Sequence, residues 1–375
     1  MKKKVLSAIL SVAMVAALLV GCGNAAEQTD APAAETEEAG GAEEEAEAPA
    51  EEAEAPAEEA SGDGPVYAFV SKSAGNPFNE RQATGFEEAV ADLGGKAIIQ
   101  HPESATADAQ ITVIQSLISQ GVDSICVAAN DENALQAALE DAAAAGIKVC
   151  SVDSTVNVAS RLTHVNQAGV TEIGQCLMDA VYDITGGEGQ WAILSATSQA
   201  ANQNAWIDSM KSIMESDEKY ANLELVEVAY GDDEPQKSTD QTQALLQNYP
   251  DLKVICAPTT VGIAAAAKVL QDQGSSVKLT GLGLPSEMAE YIGDDDAHSC
   301  PYMFLWNPID LGRLGAYTSA ALVSGEITGA EGDKFTAGDM GDYTVVKAGD
   351  GGTEIILGAP FKFDPSNIEE WKTVY

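Results

Sequence analysis

Basic residues are scarce in this chain: 19 Lys plus Arg stand against 59 Asp plus Glu, a formal net charge of −40. Nucleic-acid binding needs a basic footprint, so that class of function is excluded. Histidine is scarcer still, with only three. His101 precedes a proline, His298 lies in the acidic run "GDDDAHS", and His164 in "LTHVNQ" reads as structural rather than catalytic. No CxxC pair or Cys/His spacing suits zinc, so no metal site is expected. No serine sits in a GxSxG context, which removes one common nucleophile arrangement. No glycine-rich loop carries a Lys-Ser/Thr, and "GLGLPS" (281–286) is only a weak echo of a dinucleotide loop, so no nucleotide cofactor is expected. These absences argue against an enzyme.

What is present begins with an address. "MKKKVLSAILSVAMVAALLVGCGN" runs from three lysines through an apolar stretch to small residues, the order of a secretory signal. Its apolar run is short for a spanning helix. Residues 1–22 are read as the signal, and "LVGC" resembles a bacterial lipobox, which implies acylation of Cys22. Residues 23–62 follow as an acidic Ala/Glu/Pro tether. Between Gly23 and Ala60 there are 14 acidic residues and no basic one, and such a segment cannot bury enough to offset its chain entropy. The leader carries +3, this tether −14, and residues 61–375 the remaining −29. Beyond Cys22 there are five cysteines, an odd number, and three of them fall in apolar runs: "SICVAA", "KVCSVD" and "KVICAP". Small buried hydrophobes fit them better than a disulfide framework.

The body, 63–375, alternates short β-branched runs with Ala-rich helical segments. Strands are predicted at "VYAFV", "KAIIQ", "SICVAA" and "KVCSVD", with helices over 79–93, 106–120 and 132–145. A second series pairs "QWAILS", "LELVEVAY", "KVICAP" and "KLTGLG" with helices over 168–184, 203–216, 236–248 and 260–273. Gly94, Gly121, Gly146 and Gly274 close four of these helices. The alternation predicts an α/β fold: two doubly wound lobes, each on a parallel sheet, with a hinge between them. The expected division places about 65–166 plus 285–307 in the N-terminal lobe and about 167–284 plus 308–345 in the other, with 346–375 as a tail. Crossings between lobes are expected near 165–169, 283–287 and 305–310.

Open α/β sheets bind ligands beyond the carboxyl ends of their strands. The corners there include "SKSAGNPF", "AANDEN", "VDST", "SATSQAANQN", "YGDDE", "APTT" and "GLGLPS". They are rich in amides, carboxylates and hydroxyls with an occasional Lys or aromatic, the mixture that suits a neutral polyol. In the first corner Lys72 supplies a donor, Asn76 an amide and Phe78 an apolar wall. A carbohydrate-active enzyme would need paired carboxylates, and these corners show Asp153 without a convincing acidic mate.

"GNPF", "QSLISQGVDSICVAAND", "GIKVCSVDS", "HVNQAG" and "IGQ", with the lipobox and tether, resemble the periplasmic-binding-protein family that serves sugar ABC importers. "SATSQAANQNAW", "ICAPTTVGIAAAAKVLQ", "FLWNPIDLG" and "TEIILGAPFKFDPSNIEEW" are similar to its rhamnose-binding and autoinducer-2-binding branch. The resemblance runs from about Val66 to Tyr375 and implies the type I form of the fold. It implies a ligand set of Lys72, Asp153, Asn202, Gln203, Pro258, Thr260 and the Trp306-Asn307 pair. Asn202 stands where that branch has Asp, Thr260 where it has Ala, and Asn307 where it has Asp. An Asp-to-Asn change removes a charge and adds a donor, which alters the hydroxyl pattern that fits. Rhamnose and autoinducer-2 both stay open. Ribose, galactose and xylose fit less well, because the second-lobe Arg and the Asp after the "GxG" strand that their binders use are missing. The resemblance further implies a monomer held to the membrane only by its lipid, facing outside, and delivering its ligand to an ABC permease and its ATPase. A sensor signalling to a membrane kinase is the alternative, and the residues do not separate the two.

Overall fold

The computed structural model describes residues 64–375, within the compact unit Ala60–Tyr375. The signal with Cys22 and the whole of the tether lie outside the described residues.

The first lobe grows from β1 (Val66–Val70), α1 (Pro77–Asp92), β2 (Lys96–Gln100), α2 (Ala107–Gln120), β3 (Ser124–Val127), α3 (Gln136–Ala144), β4 (Lys148–Val152) and β5 (His164–Asn166). β1, β3 and β4 are apolar and nearly fully buried, as a parallel sheet covered on both faces requires, while β2 at the sheet edge is half-buried. α1 starts on Pro77 with the Asn76 side chain accepting from Phe78 N, and α2 starts on Thr106, which accepts from Ala109 N. α2 ends at Gly121 in the left-handed conformation, as its sequence position predicts.

The second lobe contains α4 (Val170–Thr185), β6 (Gly189–Ser195), α5 (Ala201–Ser216), β7 (Leu223–Tyr230), α6 (Pro235–Asn248), β8 (Leu252–Ala257), α7 (Thr260–Asp272), β9 (Lys278–Gly281) and α8 (Pro285–Met288). Its parallel sheet has the order β7-β6-β8-β9. The chain continues through β10 (Met303–Leu305), α9 (Pro308–Ser324), β11 (Lys334–Thr336), β12 (Asp342–Thr344), β13 (Val346–Lys347), β14 (Thr353–Ile356), β15 (Phe361–Phe363) and α10 (Ile368–Trp371).

The division between lobes differs from the sequence expectation. Residues 285–307 belong with the second lobe, not the first: Leu282 bridges Phe304, and α8 lies against α7. α9, expected in the second lobe, lies on α1, β3 and β4 of the first. Two glycines let these helices touch: a Cβ on Gly85 would stand 1.9 Å from Ile309 O, and one on Gly312 1.9 Å from Gln82 O. β13 and β14 then extend the first sheet to seven strands, β13-β14-β5-β4-β3-β1-β2, with β13 antiparallel. β15 returns to pair with β10 in the second lobe. The chain therefore crosses between β5 and α4, between β10 and α9, and between β14 and β15; it does not cross at 283–287. The third crossing was hidden because its strands lie far apart in sequence and carry no local signal of their partners.

Cys126, Cys150, Cys256 and Cys300 are buried free thiols and Cys176 is half-buried. His164 is buried with Nδ1 2.9 Å from Ser151 Oγ; burial, with the Arg161 charge nearby, lowers its pKa to about 3. It is a neutral core group. Among the described residues no helix is long and apolar enough to cross a membrane.

Candidate functional site

The carboxyl ends of both sheets face one cleft, and the side chains meeting there surround a small cavity of about 40 Å³. From the first lobe come Lys72, Asn76, Phe78, Asn79 and Asp153; from the second Asn202, Gln203, Trp206, Asp233, Pro258, Thr259 and Thr260. Leu282, Leu305 and Trp306 close the side near the lobe crossing.

Each group is delivered by a local device. Lys72 stands two residues beyond β1. Gln110, a buried amide on α2, donates to Ser71 O (2.9 Å) and Ala128 O (2.7 Å) and accepts from Asn130 N (2.9 Å). Asn130 Nδ2 in turn donates to Lys72 O at 2.8 Å. The corners after β1 and β3 are thereby stitched together, which fixes the start of the lysine side chain. Asp153 follows β4 with φ 61°, a left-handed backbone costly for most side chains and tolerated best by Gly, Asn and Asp. That conformation turns its carboxylate into the cleft. Asp232 and Asp233 share the unusual geometry, each with φ 55°. Thr259 Oγ1 donates to Asp233 Oδ1 and holds it.

The two lobes are joined across the cavity by polar contacts. Lys72 Nζ donates to Asn202 Oδ1 at 2.9 Å and lies 3.5 Å from Gln203 Oε1. Asn202 Nδ2 donates to Asp153 Oδ2 at 3.3 Å, and Lys72 Nζ is 3.7 Å from the same oxygen. All four side chains are buried. Burial raises the pKa of Asp153; Lys72 opposes the rise and Asp233 adds to it. Burial likewise raises Asp233, with Thr259 and Lys72 opposing. The cavity thus holds two carboxylates and one ammonium among neutral amides and hydroxyls. Phe78, Trp306 and Trp206 form its apolar wall, with ring centroids 6.3 Å (Phe78–Trp306) and 5.7 Å (Trp206–Trp306) apart, both edge-on. Hydroxyl partners on one side and aromatic rings on the other suit a small ring with polar and apolar faces.

Of the residues singled out from sequence, Lys72, Asn76, Phe78, Asp153, Asn202, Gln203, Pro258, Thr260 and Trp306 come together in this cavity. Asn307 does not. Its Oδ1 accepts from Ile309 N (2.9 Å) and its Nδ2 donates to Asp310 (2.8 Å), so it caps α9 facing a separate groove. Asn76 serves as both cap and wall. Asn202 does not cap its helix, which begins at Ala201 with Ala200 as the cap residue.

Sequence reasoning missed Asn79, Trp206, Asp233 and Thr259. Asp233 corrects the expectation that Asp153 has no convincing acidic mate. It stood in the corner "YGDDE", where three acidic residues in a row gave no sign of which one turns inward. Trp206 could have been found by helical spacing, since it lies one turn after Asn202.

A family model described as "Periplasmic binding protein domain" matches residues 67–327. A solved ABC transporter solute-binding protein from Clostridium phytofermentas, with bound L-rhamnose, is 61% identical, with a TM-score of 0.82 over 83% of this chain and 99% of that one. The chain belongs to the periplasmic-binding-protein family. It shares the two-lobed type I fold with LsrB from Clostridium saccharobutylicum, solved in complex with AI-2 (24% identity, TM-score 0.75, 82% and 99% covered). It is also 24% identical over 206 residues to the ribose import binding protein RbsB of Bacillus subtilis (strain 168). That match covers 55% of this chain and 65% of RbsB, just under two thirds of the curated relative. These relatives are binding proteins of sugar transport, not enzymes.

Proposed function

We propose that this periplasmic binding protein captures L-rhamnose, or a neutral deoxy sugar close to it, between its lobes and hands it to an ABC importer. The observation that carries the choice is the 61% identity with a relative solved with L-rhamnose bound, over 99% of that relative. The cavity's chemistry supports it. A deoxyhexose offers adjacent hydroxyls and one methyl group, and the cavity offers carboxylates and amides on one side and three aromatic rings on the other.

Binding follows from the closure geometry. Lys72 and Asp153 rise from the first lobe, and Asn202, Gln203, Pro258, Thr260 and Asp233 from the second. A sugar ring between them exchanges the contacts that now join the lobes for its own hydroxyls. Only contacts made to both lobes at once favour the closed state over the open one, so affinity and closure are the same free energy. The closed pair of lobes is the surface a permease reads. Acylation at Cys22 and the acidic tether keep the protein at the outer face of the membrane.

A thermal-shift and calorimetric panel of L-rhamnose, autoinducer-2, ribose, xylose and galactose tests the ligand. L-rhamnose is expected to give the largest shift; a clear preference for another sugar, or no response, defeats the assignment. Cys22→Ser is expected to release the protein from the cell surface into the medium.

A further inference from the structure

On its hinge side the ligand cavity has a neighbour. A second, larger cavity of about 510 Å³ adjoins it, against about 40 Å³ for the first. Asp153, Asn202 and Trp206 line both. Between the two spaces stands the contact from Asn202 Nδ2 to Asp153 Oδ2, at 3.3 Å long for a hydrogen bond of this type.

Resting on the reading of the first cavity as a sugar site, we propose that the adjoining cavity takes a second neutral sugar, so that the protein accepts a rhamnose-terminated disaccharide. Trp206 lines both spaces, and an aromatic side chain in the wall suits the C–H side of a second ring. Asp153 and Asn202 face both, so the same pair can grip a terminal ring and flank its glycosidic oxygen. Beyond them Thr155 and Thr171 offer hydroxyls and Glu132 a carboxylate. Asp350 and Glu354 line the far side, where they are engaged by Arg161 (2.6 Å) and by Asn166 (2.8 Å). Asp350 is paired with Arg161 and Asp153 lies 3.7 Å from Lys72, but Glu132 and Glu354 have no cationic partner there among the described residues, so a neutral ring is favoured over an anionic one. Thr171 lies exposed at the rim, so a longer ligand reaches solvent there without holding the lobes apart.

The full chain is titrated calorimetrically with L-rhamnose and with rutinose, in which L-rhamnose is joined to glucose, and the titrations are repeated with Thr171→Trp. Thr171 lines only the second cavity, and its exposure makes a large side chain tolerable to the fold. Rutinose is expected to bind within about tenfold of L-rhamnose. The Trp variant is expected to weaken rutinose at least tenfold and leave L-rhamnose unchanged. Binding of L-rhamnose without rutinose overturns the second subsite and leaves the proposed function standing. Equal effects of the variant on both sugars also overturn it. If neither sugar binds, the proposed function falls and the subsite with it. A crystal structure with rutinose supplies the independent check: the second ring belongs against Trp206, and a ring placed on the 73–77 side of the cleft refutes the proposal.

Discussion

Replacing Asp153 by Asn should separate binding from folding. The side chain keeps its shape, and Asn is among the few residues that accept φ 61° readily. Its carboxylate accepts from Asn202 at 3.3 Å and lies 3.7 Å from Lys72 Nζ, inside a cavity that shields both from water. A hydrogen bond to a charged group contributes about 1.5–3 kcal/mol. Losing one such bond to a sugar hydroxyl therefore weakens L-rhamnose by roughly 10- to 150-fold. Folding should suffer little, because the variant also removes a charge whose burial raises its own pKa. Titration calorimetry at pH 7 measures the affinity, and a thermal melt of the ligand-free variant measures stability. Unchanged affinity in a normally folded variant would refute the role of the carboxylate. Weaker binding accompanied by a collapsed melt would show that Asp153 braces the fold instead.

Asp233 gives a prediction about stability and its pH dependence. Burial raises its folded-state pKa, so its stability contribution is greatest below the unfolded value of about 3.9 and is lost as pH rises through the folded pKa. Asp233→Asn should therefore melt higher than wild type at pH 7, with the gap closing near pH 4; a gap that is constant with pH contradicts the assignment. His164, at about 3 in the folded protein, behaves in the opposite way: the unfolded chain takes up a proton from about 6.5 downward while the native ring stays neutral. Stability is then lost by about 1.4 kcal/mol per pH unit below that point. His164→Gln should lessen the decline between pH 7 and pH 5 by about 2 kcal/mol in urea titrations, and parallel curves would count against it. Gly312→Ala forces a methyl group to within 1.9 Å of the Gln82 carbonyl, so α1 and α9 must part. A cost of about 3 kcal/mol and a fall of several degrees in melting temperature are expected; an unchanged melt would mean that the helices adjust freely.

By itself the sequence determined the alternation of strands and helices, and with it two parallel sheets whose strand ends carry the chemistry. Periodicity and helix-stop glycines are local signals: α2 and its stop at Gly121, or β7 as "LELVEVAY", need nothing from the rest of the chain. The corners rich in Asn, Asp and Gln were legible for the same reason, and most of the cavity residues come from them. Tertiary structure alone decided which lobe receives which late segment. The contact of α9 with α1 depends on Gly85 meeting a backbone more than two hundred residues away, and neither helix announces the other. It decided Asn307 too, whose amide is drawn to the start of α9 by unpaired backbone N–H groups. And it decided Asp233. Which of two adjacent aspartates enters the cavity depends on a left-handed turn and on the hydroxyl of Thr259, a partner supplied by the next strand. Local patterns fix what the chain offers at each corner, whereas the packing of distant elements fixes which offers meet.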